Sequence, residues 1–227
     1  MGWPLTANAT QSTNYQIQED FIGGVGGTYA NSTNYQSIGS AGAAAVGDSS
    51  SANYRTQSGA TTTNDPSLSF AVNTSSVALG TLSTGSAGTG TAAFSVLNYT
   101  SYGYVVQVLG NPPSYGGHSL TAMSGAASSA GTEQFGINLV ANTTPASLSG
   151  VSANPQQVPS GSFSNGTFGS GYGTTNTYKY NSGDTIAQAT QSSGQTTYTI
   201  SYVANISGTT PAGAYTGAET LICTGTY

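Results

Sequence analysis

Charge is almost missing from this chain: 227 residues carry two Lys/Arg and seven Asp/Glu. A typical soluble domain is roughly one quarter charged. Nucleic acid is excluded as a partner, because phosphate contacts need several bases and Arg55 and Lys179 are the only two. One cysteine, Cys223, leaves no internal disulfide. It sits in an apolar strand pattern that suits a buried small side chain, the alternative being a thiol bridge between subunits. One histidine, His118, and one lysine leave nucleophilic catalysis and a transition-metal site without their usual residues. No stretch reaches the roughly 18 apolar residues of a membrane span. The start lacks the basic and apolar segments of a signal peptide, so an exported form is expected to be processed or to leave by another route.

What fills the space is neutral: Gly 32, Tyr 15 and Phe 6, with 36% hydrophobic residues. Ser, Thr, Asn, Gln and Tyr keep such a surface hydrated without charge, as suits a chain that works outside the cell, packed against copies of itself or carrying sugars. Aromatic content and strict alternation set the chain apart from a disordered polar tract.

Residues 1–60 hold a repeat: Ser12-Thr13-Asn14-Tyr15-Gln16, Ser32-Thr33-Asn34-Tyr35-Gln36 and Ser51-Ala52-Asn53-Tyr54-Arg55. Glycines cluster between the copies, predicting short strands joined by glycine-rich turns. Large apolar residues are too few for a core, so this segment is expected to be an extended arm that docks elsewhere. Its best apolar positions are Tyr15, Ile17, Phe21, Ile22 and Val25.

Asn64-Asp65-Pro66 marks a turn, and residues 61–227 then read as longer strands. Leu68, Phe70 and Val72 alternate with small polar residues. Phe94–Asn98 and Tyr104–Leu109 flank Tyr99–Gly103, and the spacing predicts a hairpin. Phe135–Val140 is another strand, and Ala141–Gly173 a long surface loop with one or two short strands. Tyr198, Ile200, Tyr202, Ala204 and Ile206 share one strand face. Thr210-Pro211-Ala212-Gly213 then turns the chain into a last strand from Tyr215. No helical period persists. The prediction is an all-β antiparallel β-sandwich, jelly-roll or Ig-like, with the N-terminal β arm.

Leu79-Gly80-Thr81-Leu82-Ser83-Thr84-Gly85, Phe94-Ser95-Val96 and Gly103-Tyr104-Val105-Val106 resemble the opening half of exported bacterial β-sandwich modules. Tyr198–Tyr227, with Thr210-Pro211-Ala212-Gly213-Ala214-Tyr215, resembles their closing hairpin. Spore coat protein U-like, WxL-type and TasA/camelysin-like surface proteins are the families in question, over roughly residues 66–227. The chain departs from the WxL pattern, having only Trp3-Pro4-Leu5 at its start. The resemblance implies assembly into fibres or layers, in several cases through a donated N-terminal strand, and residues 12–25 match that role.

Glu133 and Glu219 are the carboxylates a glycoside hydrolase would need. Asp48, Asp65 and Asp184 are the acids available to calcium, and all three sit in turn-like Gly/Asn contexts. Lys179, in Thr177-Tyr178-Lys179-Tyr180-Asn181, suits an acid-catalysed Lys–Asn crosslink or an edge charge. Seven sequons lie at Asn8, Asn31, Asn73, Asn98, Asn142, Asn165 and Asn205. The sequence reading is a non-enzymatic, cofactor-free subunit of an extracellular, pilus-like filament or cell-surface layer, as in a biofilm. Its partners are copies of itself, with surface glycans as possible additional ligands. A carbohydrate-binding adhesin using the Ala141–Gly173 loop is the alternative, ahead of a secreted glycosidase.

Overall fold

In the computed structural model the chain divides into two compact units, Met1–Asp65 and Pro66–Tyr227. The structure describes residues 67–100, 102–149, 155–158 and 164–226, together with the backbone of five strands in the first unit.

Those five are β1 (Gln16–Glu19), β2 (Gly27–Asn31), β3 (Gln36–Ser40), β4 (Gly47–Ser50) and β5 (Arg55–Ser58). β1, β2 and β3 form one antiparallel sheet in that order, and β4 pairs with β5. Asn31 opposes Gln36 and Ser50 opposes Arg55. The sequence between each pair is therefore one copy of the repeat, Ser32–Tyr35 or Ser51–Tyr54. β1, β3 and β5 each begin directly after an Asn-Tyr. The repeat thus marks the links between strands, whereas Gly27, Gly39 and Gly47, expected in turns, lie inside strands. β1, which holds Ile17, is paired with β2 and is not a free extended segment. Tyr15, Phe21, Ile22 and Val25 lie outside the described residues.

The second unit is all-β and its strand ladders are antiparallel. It runs β6 (Leu68–Val72), β7 (Gly88–Asn98), β8 (Tyr104–Gly110), β9 (Ser114–Tyr115), β10 (His118–Ser119), β11 (Ser124–Ala126), β12 (Gln134–Asn138), β13 (Gln156–Val158), β14 (Thr167–Phe168), β15 (Tyr178–Lys179), β16 (Thr185–Ala189), β17 (Ser193–Asn205) and β18 (Glu219–Gly225). One sheet has the order β11-β15-β12-β17-β7-β6, with β13 also paired to β17. The other has the order β14-β16-β8-β18, and β9 and β10 form a small ribbon. Phe94 and Val96 of β7, Tyr198 and Ile200 of β17, and Phe135 and Ile137 of β12 share one buried core with Tyr104, Val106 and Val108 of β8 and Ile186 of β16. This is the arrangement of a β-sandwich.

β7 and β8 do not form the expected hairpin. β7 pairs with β6 and β17, β8 with β16 and β18. Both strands carry a continuous apolar face, and facing each other across the core buries both faces, which side-by-side pairing would not do. The link is an arch. The Thr100 hydroxyl sits between Asn98 Oδ1 and the Gly103 carbonyl. Gly103 has φ +87°, and a Cβ there would lie 1.9 Å from the Ala189 carbonyl oxygen. The closing strands behave alike: β18 pairs with β8, not with β17.

Alternation correctly gives Tyr198, Ile200 and Ala204 to the core, with Tyr202 and Ile206 packed at its margin. The opposite face of β17 is covered too. Val203 packs with Met123, Leu148 and Tyr178, and Leu148 belongs to a 3-10 turn at Ala146–Leu148 inside the predicted loop. Neutral amides hold this layer. Asn138, fully buried, donates to the Thr174 and Thr177 carbonyls at 2.8 Å each and accepts from the Val140 amide (2.8 Å) and Asn142 Nδ2 (3.0 Å). Its amide group is satisfied without charge, as burial requires. Asn176, at φ +61°, accepts from the Thr143 and Thr144 amides and closes the network.

Candidate functional site

β18 is the last strand of its sheet and, among the described residues, pairs only with β8. Its register with β8 runs from Glu219 opposite Gly110 to Gly225 opposite Tyr104 without a bulge. It contains no proline and one charge. Sheet edges are commonly guarded by lysines, prolines, bulges or a covering element, and this 7-residue edge has none of the first three.

A cavity of about 1020 Å³ opens beside it. Its walls include Val72 of β6, Ala92 and Phe94 of β7, Ile200 and Tyr202 of β17, and Glu219 and Leu221 of β18. The chain from Thr74 to Leu82 and the chain from Thr210 to Gly217 close its flanks. Small residues make this possible. A Cβ on Gly88 would meet Leu82 at 2.3 Å, and one on Gly90 would meet Val77 at 2.4 Å, so these glycines let the 77–82 segment lie against the start of β7. The result is an apolar groove reaching core side chains, bordered by a strand edge that has no partner among the described residues.

Its carboxyl is Glu219, half-buried, whose Oε2 accepts a bond from the Tyr202 hydroxyl at 2.9 Å. Burial pushes Glu219 above the usual carboxylate range, and the Tyr202 bond offsets this only partly. Tyr180, buried nearby, packs edge-on against Phe135 at 5.0 Å. Its hydroxyl has no hydrogen-bond partner among the described residues.

Glu133 is placed differently. It is not in the groove wall, and its carboxylate accepts from Thr210 Oγ1 (2.7 Å), His118 Nε2 (2.8 Å) and Thr121 Oγ1 (3.0 Å). Burial raises its pKa, but these three donors outweigh burial and hold it below its ordinary value. Glu133 therefore pins the Thr210 end of the groove's flank. The flank's other end is tied by paired backbone bonds between Ser114 and Thr216, at 2.8 and 3.1 Å.

No family model, curated protein or solved structure matches this chain.

Of the remaining singled-out residues, Lys179 and Asp184 have side-chain partners. Lys179 contacts Asp184 at 2.5 Å and lies 5.4 Å from the centre of the Tyr172 ring. Asp184 also accepts from Tyr172 (2.9 Å) and Asn181 (2.6 Å); burial would raise its pKa, but the Lys179 contact first, with these two bonds, holds it below its ordinary value. The structure thus brings Lys179, Asn181 and an acid together, but as a partly exposed ion pair. Asp48 lies in β4, and Asp65 lies outside the described residues. No cluster of three or more His, Cys, Asp or Glu side chains suited to a metal occurs among the described residues.

Cys223 packs at the margin of the core, and burial pushes its thiol up to about 11. The sequons at Asn98, Asn142 and Asn205 are buried. Asn98 Oδ1 accepts from Thr100 two residues on, so Asn-x-Thr here is a local hydrogen-bonding turn. Asn73 is exposed. Within Ala141–Gly173, β13 joins β17 and β14 joins β16, while residues 150–154 and 159–163 lie outside the description. Sequence reasoning missed the groove because its walls come from segments up to about 150 residues apart. Its one legible sign was Glu219 in an apolar strand.

Proposed function

We propose that this protein is a structural subunit of an extracellular filament or surface layer, in which the groove beside β18 receives a β-strand from a neighbouring copy. The observation that carries the reading is the coincidence of an unguarded, regular strand edge with an apolar groove open to the core. An incoming strand at the usual spacing of about 4.8 Å from β18 satisfies the edge through backbone bonds and the groove through alternate side chains.

The donor is assigned to residues 12–25. Laid as a regular strand, without the bulge that β1 carries between Ile17 and Glu19 in its own sheet, this segment would turn Tyr15, Ile17, Phe21 and Val25 to one face and Ile22 to the other. Within one chain Gln16–Glu19 pairs with Gly27–Asn31. Donation therefore exchanges one backbone partner for another, and the gain comes from apolar burial, about 1.5–3 kcal/mol for each large side chain fully covered. The scarcity of charge fits this use: assembly rests on backbone pairing and aromatic burial and depends weakly on salt.

Electron microscopy of the full chain beside Phe21→Asp and Val72→Arg variants tests the reading. Filaments or layers are expected from the unaltered chain and from neither variant. A mixture of the two variants is expected to stop at the hetero-pair, since each supplies what the other lacks. Dispersed particles in the unaltered sample, or assemblies that dissolve in moderate salt, would sink the proposal.

A further inference from the structure

We propose that occupation of the β18 groove is coupled to proton uptake at Glu219, so that subunits associate more tightly as the pH falls. This rests on the strand-acceptor reading above and concerns how that groove is regulated. Glu219 is the acid in a wall otherwise built from Phe94, Ile200, Leu221 and neutral residues. In the free subunit it is half-buried, and its bond from Tyr202 engages one of its two oxygens. A strand laid along β18 removes remaining solvent from the carboxyl. Withdrawing water from an ionised carboxylate without supplying a cation disfavours the charged form, so binding and protonation assist each other.

Among the described residues the surroundings offer no compensating charge. From β17 the facing group is Tyr202, and from the turn after β15 it is Tyr180, both phenols held protonated by burial. On its own strand the next ionisable group is Cys223, four residues on, with its thiol pushed up to about 11. β8 brings Tyr104 at the far end of the strand pair, opposite Gly225. Tyr215 stands in the Thr210–Gly217 flank, and Thr74–Leu82 contributes no ionisable side chain. The donor supplies no base either. In its own sheet β1 carries a bulge between Ile17 and Glu19; laid as a regular strand along β18, the donor would by parity bring Glu19 to the face of Ile17 and Phe21, as the one acid among those positions. Donor and acceptor therefore each bring a carboxyl toward the same apolar space, and each favours insertion in its protonated form.

The sign follows from linkage. A carboxyl whose pKa is higher in the occupied state than in the free state takes up a proton on occupation, and affinity falls as pH rises between the two values. Each pH unit of difference changes the association constant by up to about tenfold. Light scattering of the full chain from pH 4.5 to 8 is the test, with electron microscopy separating ordered assemblies from amorphous precipitate. The critical concentration is expected to rise at least about tenfold across this range. Glu219→Gln should flatten most of that rise, and Glu219→Gln combined with Glu19→Gln should remove it. Asp20→Asn, which deletes the same charge from the opposite strand face, should leave it intact, excluding a general effect of net charge.

A flat profile in the unaltered chain overturns the coupling, as does full pH dependence surviving in Glu219→Gln or vanishing in Asp20→Asn. If Phe21→Asp still assembles, strand donation itself fails and the coupling fails with it. If Phe21→Asp abolishes assembly while the unaltered chain shows a flat profile, only the coupling fails.

Discussion

Raising the pH toward 11 should unfold this protein cooperatively, because tyrosines do in its core what aliphatic residues do elsewhere. Tyr104, Tyr172, Tyr178, Tyr180 and Tyr198 are 0–3% exposed. Burial pushes Tyr104 and Tyr178 up to about 12, and it pushes Tyr172, Tyr180 and Tyr198 up as well. A phenol with a raised folded-state pKa favours the native state fully below its ordinary value near 10 and loses that advantage as pH rises toward the folded value. At pH 11 the unfolded chain ionises a tyrosine about 90% while the folded chain keeps the proton, at a cost of about 1.4 kcal/mol per residue. Five such residues lose about 7 kcal/mol, comparable with the whole stability of a typical domain at about 5–15 kcal/mol.

With one lysine and one arginine in the chain, loss of basic charge adds little to this transition. Absorbance at 295 nm and far-ultraviolet circular dichroism, followed together from pH 9 to 12.5, test this. A steep step near pH 11 should coincide with loss of β signal. Gradual titration of all fifteen tyrosines near pH 10 with the β signal intact, or a fold that persists beyond pH 12, would refute the reasoning.

Three further outcomes follow from particular contacts. Tyr104 and Tyr198 share a hydroxyl hydrogen bond of 2.7 Å between the two sheets, so either single change to Phe should cost about 1–3 kcal/mol in urea unfolding and the double change less than the sum. Gly103→Ala combines φ +87° with a clash on the Ala189 carbonyl and should cost about 3 kcal/mol or more, read as a lower urea midpoint at unchanged slope. Glu133, held below its ordinary pKa by its donors, should lend stability above the ordinary carboxylate value that disappears as pH falls through its folded value. Glu133→Gln should therefore lower the melting temperature at pH 7 and flatten its decline between pH 5 and 2.

Much of the local structure was legible from side-chain alternation. Leu68–Val72, Phe94–Asn98, Tyr104–Leu109 and Tyr198–Asn205 are strands as read, because period-two alternation is set by the chain's own geometry. Pairing was not legible. Phe94–Asn98 and Tyr104–Leu109 are separated by a five-residue link that would serve a hairpin or an arch, and the choice depends on what covers each apolar face. The candidate groove was hidden for the same reason, since Val72, Phe94, Ile200 and Leu221 show nothing in sequence that separates wall residues from core residues. The Asn-x-Thr at Asn98 serves as a local hydrogen-bonding turn, which the sequence pattern alone does not distinguish from any other sequon.

The sequence by itself determined that this is a β-protein whose polar side chains are almost all neutral, because composition and alternation act residue by residue. It also determined that Cys223 has no partner within its own chain. Which strands share a sheet, that β18 lies at an edge, and that Glu219 meets an apolar groove were decided by tertiary structure alone. These properties depend on the burial of apolar faces brought together from distant segments, and no local pattern specifies which distant face will arrive.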